Sequence, residues 1–372
     1  MNLTPNLPKG VKAVFYLLSM TTGILECGFI VSGAVRGLEL WQILFYPLCY
    51  HLGNLFPKPF FLPKKVLLLF CSFSLTEAAF LFVFPVLESV RFIVTCLCLF
   101  LLSAVIQSVR DSMKSDGNSL LKRVFRVAGF ALSPLAVFIP EIILCFASAA
   151  AFLGLTKYSG SRFRFELPSF QGGYSIVMLF HQLHYFFYAH ITLAAACIAL
   201  SKAPPVFGAL KYAFVRDPAL FGAVLGALFF CGTWITYMSA EPAVSRLTKK
   251  TMPVFFAGHT AVFVLLLSMS FVTDRALFIV LWLLTGFGGG TVYTITAKAK
   301  QSGRYDKYSM TVSENAGHAL GLLAAVIVSA VFGTYSPDIM LVCGSVSALA
   351  AMLCMTVTAG KEKKHENIPY NG

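Results

Sequence analysis

Long apolar runs, each closed by a short polar and often basic break, set the rhythm of this chain. Twelve of them approach the ~20 residues that a helix needs to cross a bilayer's hydrocarbon. They lie near 11–35, 39–56, 65–86, 89–109, 124–139, 140–156, 175–200, 218–240, 252–272, 275–297, 313–333 and 337–358. The fifth and sixth are short and meet at Ile139-Pro140-Glu141. The pattern predicts an all-α polytopic membrane protein with twelve transmembrane helices.

Composition agrees: 58% of the 372 residues are hydrophobic and only 12% are charged, so the surroundings of most side chains must be apolar. The net charge of +13 would suit nucleic acid if the basic residues formed one face. They stand instead in the breaks between runs, so no nucleic acid is expected and the charges report topology. With both termini cytoplasmic, only six of the 29 Lys and Arg residues face outward: Arg36, Arg91, Lys202, Lys211, Arg216 and Arg275. That bias is the one expected of a multi-pass protein of the cell (inner or plasma) membrane. The N-terminus lacks the small-residue exit site of a cleaved signal, so the first run is expected to remain as a span. All ten cysteines fall within apolar segments and read as small hydrophobes, with no metal-ligand spacing.

The polar stretch 157–174 divides the chain into six spans (1–156) and six more with a cytoplasmic tail (175–372). Lys64-Lys65 before the third span answers Lys249-Lys250 before the ninth, an offset of 185 that also superposes spans 3–6 on spans 9–12. Two pseudo-symmetric six-helix bundles follow from that repeat. The basic loop after span seven, from Ser201 to Pro218, strains the threading and is expected to lie along the outer surface as an interfacial helix.

This organisation resembles the major facilitator superfamily over essentially the whole length. The family's loop 2–3 signature is degenerate here: Gly53-Asn54-Leu55-Phe56-Pro57-Lys58, with Lys64 and Lys65 downstream and Pro57 where an acid belongs. Gly129-Phe130-Ala131-Leu132-Ser133-Pro134 echoes the Gly-Pro motif on span five of similar exporters, with Ser133 in place of a glycine. The resemblance implies that spans 1, 4, 7 and 10 line a central cavity, that spans 3, 6, 9 and 12 support them, and that the halves rock to expose the cavity alternately. Lys64 and Lys65 would then serve gating.

Polar groups in hydrocarbon are costly and mark pathways. On span seven, His181, His184 and Tyr188 share one helical face with Tyr185 beside them, while His190 points the other way. That face offers donors and acceptors to replace a polar substrate's water, and suits a carboxylate-bearing or chelating compound. In span one, Ser19 and Thr22 lie on the face of Glu26 at spacings of seven and four. A buried carboxyl there suits a site that gains and loses a proton, against the bland alternative of a permanently neutral, hydrogen-bonded acid. Glu77 is equally deep but on a supporting span, open to either role. Glu314 and His318, one turn apart on span eleven, form either a pH-sensitive pair or a helix-end contact. Glu141 after Pro140 suits a helix N-terminus. In Gly286-Phe287-Gly288-Gly289-Gly290, Gly288 and Gly289 could hinge span ten. No Lys-Ser or Lys-Thr pair follows, so a phosphate loop and an ATP motor are not indicated.

The function expected is secondary active transport of a small polar or amphipathic metabolite, as proton-coupled efflux, of a metallophore-like or carboxylate-bearing compound in one version. An uptake symporter uses the same residues. A membrane-embedded acyltransferase with a histidine base is the rival from another class, but it has no need of matched halves. No cofactor and no metal are called for. The partners expected are the substrate, protons and the lipid bilayer, with the protein working as a monomer.

Overall fold

The computed structural model describes residues 9–56, 64–112, 119–157, 185–211, 251–274, 276–286 and 307–366. His181, His184, Gly288, Gly289, the eighth predicted span and the side chain of Tyr185 lie outside the described parts.

The described segments are helical throughout: α1 Lys9–Val35, α2 Leu40–Leu55, α3 Lys64–Val83, α4 Glu88–Ser112, α5 Ser119–Ala131, α6 Leu135–Phe138, α7 Pro140–Lys157, α8 Tyr185–Lys211, α9 Thr251–Met269, α10 Ala276–Gly286, α11 Lys307–Phe332 and α12 Ser336–Glu366. Among the described residues, five helices have the length and apolarity to cross a membrane: Ala13–Val35, Lys64–Val83, Glu88–Val109, Ser309–Phe332 and Ser336–Val357. The protein is an all-α polytopic membrane protein, as the apolar runs require, because in hydrocarbon every backbone N–H and C=O must be satisfied within the segment.

Three predicted boundaries move. Span five is broken: α5 ends at Ala131, a turn covers 132–134, and α6 adds one further turn. Pro134 causes this, since it lacks an N–H and disfavours the helical region for the residue before it. Span seven does not stop at 200, because α8 continues as helix through Pro204 and Pro205 to Lys211. Span eleven starts six residues early, at Lys307, so Glu314 and His318 sit two and three turns inside α11 and not at its end.

The chain divides into two compact units, Met1–Phe165 with Pro205–Trp234 and Ser329–Val331, and Glu166–Pro204 with Ile235–Val328 and Phe332–Gly372. In the first, α1 packs on α5, α2 on α4, and α3 on both α4 and α7, while α1 also touches α2, α6 and α7. In the most apolar 18-residue stretch of Ala13–Val35, 78% is buried, against only 28% in that of Lys64–Val83. α1 is therefore the axis of this unit, and α3 a flank whose exposed Leu69, Phe73, Phe80 and Phe82 suit lipid. In the second unit α9 packs on α12, the counterpart of α3 on α7. Trp282 of α10 donates its indole N–H to the Ser201 carbonyl of α8 (3.2 Å), and Ser347 of α12 donates to the Leu193 carbonyl (2.7 Å).

At the end of the first unit where α1 turns into α2, the charges neutralise one another. Arg36 meets Glu88 at 2.5 Å, Glu88 approaches Arg91 at 3.9 Å, and Arg91 also pairs with Glu141 in the first turn of α7. Two of the six basic residues assigned to the outer side thus carry their own counter-charges. Glu141 is an ion-pair partner as well as a favourable acid at a helix start.

Candidate functional site

Two glycines build the site. A Cβ on Gly129 would fall 2.0 Å from the Met20 carbonyl oxygen, and one on Gly23 would fall 2.3 Å from that of Arg126. α1 and α5 therefore touch backbone to backbone, the close approach that small residues permit between membrane helices. One turn beyond Gly23 stands Glu26, and one turn before Gly129 stands Arg126. The crossing brings Arg126 Nη2 to Glu26 Oε2 at 2.7 Å, a charge-assisted hydrogen bond. From α2, His51 places Nε2 3.7 Å from the other carboxylate oxygen, Oε1. The Arg126 guanidinium also lies 6.0 Å from the centre of the Phe130 ring, within cation–π range.

Exposure differs sharply across the trio. The side chains of Glu26 and His51 are 4% and 6% exposed, whereas that of Arg126 is 26% exposed. The carboxylate is sealed between three helices and the guanidinium is its accessible face. A buried acid compensated in this way exists as an ion only while the pair holds, so loss of either charge leaves the other exposed to the full cost of desolvation.

The remaining predicted residues distribute as follows. Ser19 and Thr22 are buried on the face of Glu26, and their hydroxyls donate to the Phe15 and Leu18 carbonyls of α1 itself (3.0 and 2.8 Å). Glu26 turns toward α5 and α2 of its own unit. Glu77 is half-buried on α3, one turn from Ser74, and its Oε2 is enclosed without a hydrogen-bond partner among the described residues. Ser74 bonds Ser148 of α7 (2.8 Å) and the thiol of Cys98 on α4 (3.0 Å), a fully buried polar knot. Lys64 and Lys65 open α3. Tyr188 is buried in an apolar cluster with Phe187, Ile191, Met310 and Met355. Glu314 and His318 are half-buried on α11 either side of Gly317, which crosses α8: a Cβ on Gly317 would fall 2.2 Å from the Thr192 carbonyl oxygen. Among the described residues no cluster of three or more His, Cys, Asp and Glu is placed to hold a metal.

Sequence reasoning missed His51, Arg126 and His259. Arg126 reads as one more cytoplasmic basic residue, although its place three residues before Gly129, inside an apolar run, marks it. His190 points away from the face of Tyr188, as its helical position requires, and meets His259 of α9 with Nε2 atoms 3.3 Å apart and rings nearly perpendicular. Both imidazoles are buried.

No protein-family model matches the chain, and no curated protein matches it in sequence. Solved structures match in fold. A crystal structure of the nucleoside transporter NupG is similar with a TM-score of 0.62 at 12% identity, covering 93% of this chain and 97% of that one. A bacterial homologue of the iron transporter ferroportin, in an outward-facing state, is similar with a TM-score of 0.60 at 12% identity, covering 94% and 99%. A bacterial metal transporter is similar at 0.61 and 13% identity, covering 95% and 100%. The fold is therefore that of polytopic membrane transporters, matched over nearly the full length.

Proposed function

We propose that this protein is a secondary active transporter of the major facilitator type, moving a small polar or amphipathic metabolite across the cell membrane with Glu26 as the proton carrier. The observation that carries the reading is the buried Glu26 bracketed by Arg126 and His51 at the crossing of α1 and α5. A buried carboxyl whose charge is compensated by one guanidinium can stay ionised while that pair holds and take up a proton when it opens, as a coupling site must. The fold likeness supports transport, and the compound carried is a separate matter, since the similar structures are described for nucleosides, iron and metal. Glu77, whose enclosed oxygen lacks a partner among the described residues, is the second proton site in this scheme. His181, His184 and Tyr185 of span seven would contact substrate, while Tyr188 of that span, and Ser19 and Thr22 of span one, are buried in the packing described above and would reach it only after the helices move. Lys64, Lys65, Gly288, Gly289, Glu314 and His318 would serve the conformational change. Gly129 to Pro134 favours efflux, while the pairing of Glu26 with Arg126 favours proton and substrate moving together as in a symporter. Both termini are placed in the cytoplasm, and the working unit is a monomer.

Glu26→Gln tests the reading. It keeps the shape but fixes the site neutral, so accumulation driven by a pH gradient in reconstituted vesicles should fail while substrate-for-substrate exchange survives. Equal loss of both would give Glu26 a structural role, and full retention of pH-driven transport would move the proton site to Glu77. Metabolite profiling of cells with and without the protein supplies the compound and the side on which it accumulates.

A further inference from the structure

We propose that the substrate is an organic anion whose carboxylate takes the Arg126 guanidinium as a proton takes Glu26, so that anion and proton cross together without net charge. This rests on Glu26 as the proton carrier and adds the charge of the substrate and the sense of coupling.

The two halves of the ion pair differ in how far a solute can reach them. Arg126 is 26% exposed and Glu26 4%. A solute entering the site therefore encounters the guanidinium, which repels cations and offers a planar fork that matches a carboxylate with two parallel hydrogen bonds. A cationic substrate would need the carboxylate, and that is the sealed member.

Charge balance then links the two ligands. Arginine holds its proton throughout the physiological range. When Glu26 takes up a proton it stops compensating Arg126, and a partly buried guanidinium gains from a replacement anion. The exchange replaces the Glu26 carboxylate by neutral Glu26 and the substrate carboxylate beside Arg126⁺, so one proton and one anion enter together and the net charge of the site does not change, whatever the charge on His51. Unloading reverses the exchange: the anion leaves, Arg126 returns to Glu26, and the proton departs to water on that side.

The groups facing Glu26 suit this exchange. His51 from α2 lies on the oxygen that Arg126 does not hold, so it keeps the carboxyl in position while the guanidinium turns away. α6, Leu-Ala-Val-Phe, brings no charge. The described charged side chains of α4 and α7, Glu88, Arg91 and Glu141, are tied to one another and to Arg36.

The experiment uses the full-length chain in sealed proteoliposomes with two probe sets: the monocarboxylates glycolate, gluconate and quinate, and the amines choline, ethanolamine and agmatine. With the outside acid, at least one carboxylate should accumulate with one proton per anion, and a clamped potential of about 100 mV, which acts on any net charge that crosses, should leave the rate unchanged. R126Q should lower the flux at least about tenfold, the loss expected for one charge-assisted contact, with R126K retaining part of it. E26Q should exchange the same carboxylate with no dependence on pH. The double variant E26Q/R126Q, which buries no uncompensated charge, should melt near the wild type and separates lost folding from lost binding. Potential-driven carboxylate flux, amine flux, no carboxylate flux, or an R126Q rate equal to the wild type would each overturn the inference. The transporter reading would still stand or fall on the metabolite profile of cells.

Discussion

Gly129 of α5 sits so close to Met20 of α1 that its missing side chain would occupy the carbonyl, 2.0 Å away. The contact fixes both the distance between the helices and their register, and the register decides that Glu26 meets Arg126. A helix turn is about 5.4 Å, or 3.6 residues, so a slip of one turn toward the C-terminal end of α5 would put the carboxylate beside Phe130 instead.

Gly129→Ala should therefore lower stability by roughly 1–3 kcal/mol, because the obstacle is backbone and cannot rotate aside. Gly154→Ala on α7 is the control, with its nearest neighbours, methyl groups of Val109 and Val14, at 3.4 Å. Ordinary contact and a gain in helix propensity of about 1 kcal/mol make that change neutral or stabilising. Thermal unfolding of both purified variants decides the matter; equal melting temperatures would refute a backbone contact at Gly129.

The His190–His259 bond makes a second prediction. His190→Leu removes one partner from a buried hydrogen bond and should cost about 1–3 kcal/mol, and His259→Leu the same. The double leucine variant replaces both polar groups and should recover most of that loss in a thermal melt. Two single variants as stable as the wild type would show that the bond contributes nothing.

Orientation is tested by labelling. In a cysteine-free background, single cysteines at Asn118 and Gly160 should react only with membrane-permeant reagents, whereas one at Ala203 should react from outside. Reaction of the residue-118 cysteine with an impermeant reagent would invert the threading.

The helices were legible in the chain because hydrocarbon imposes one simple demand, about twenty apolar residues per crossing. α1, α2, α3, α4 and α7 each begin and end within about three residues of the expected limits. The depth of Glu26 was equally plain, since a carboxylate stands out in such a run. Its partners were not. Periodicity says which residues share a face, but not which neighbouring helix covers that face, and Arg126 and His51 arrive from α5 and α2 through tertiary packing alone. The break in span five was half legible: Pro134 was visible, while the resulting end of α5 at Ala131 depends on how the chain re-enters as α6. The extension of α8 through two adjacent prolines runs against local propensity, so no sequence signal announced it.

The glycine crossing occurs twice. Gly317 of α11 meets the Thr192 carbonyl of α8 as Gly129 meets that of Met20. Counting along both copies, the position of Arg126 is filled by Glu314, and that of Glu26 by Ile198. Both crossings are close backbone contacts, but a salt bridge stands beside the first, whereas the matching positions of the second carry an acid and an aliphatic residue. The close backbone crossing at Gly129 and Gly317 thus tolerates different side chains one turn away, because it depends on the missing Cβ and not on the charges beside it.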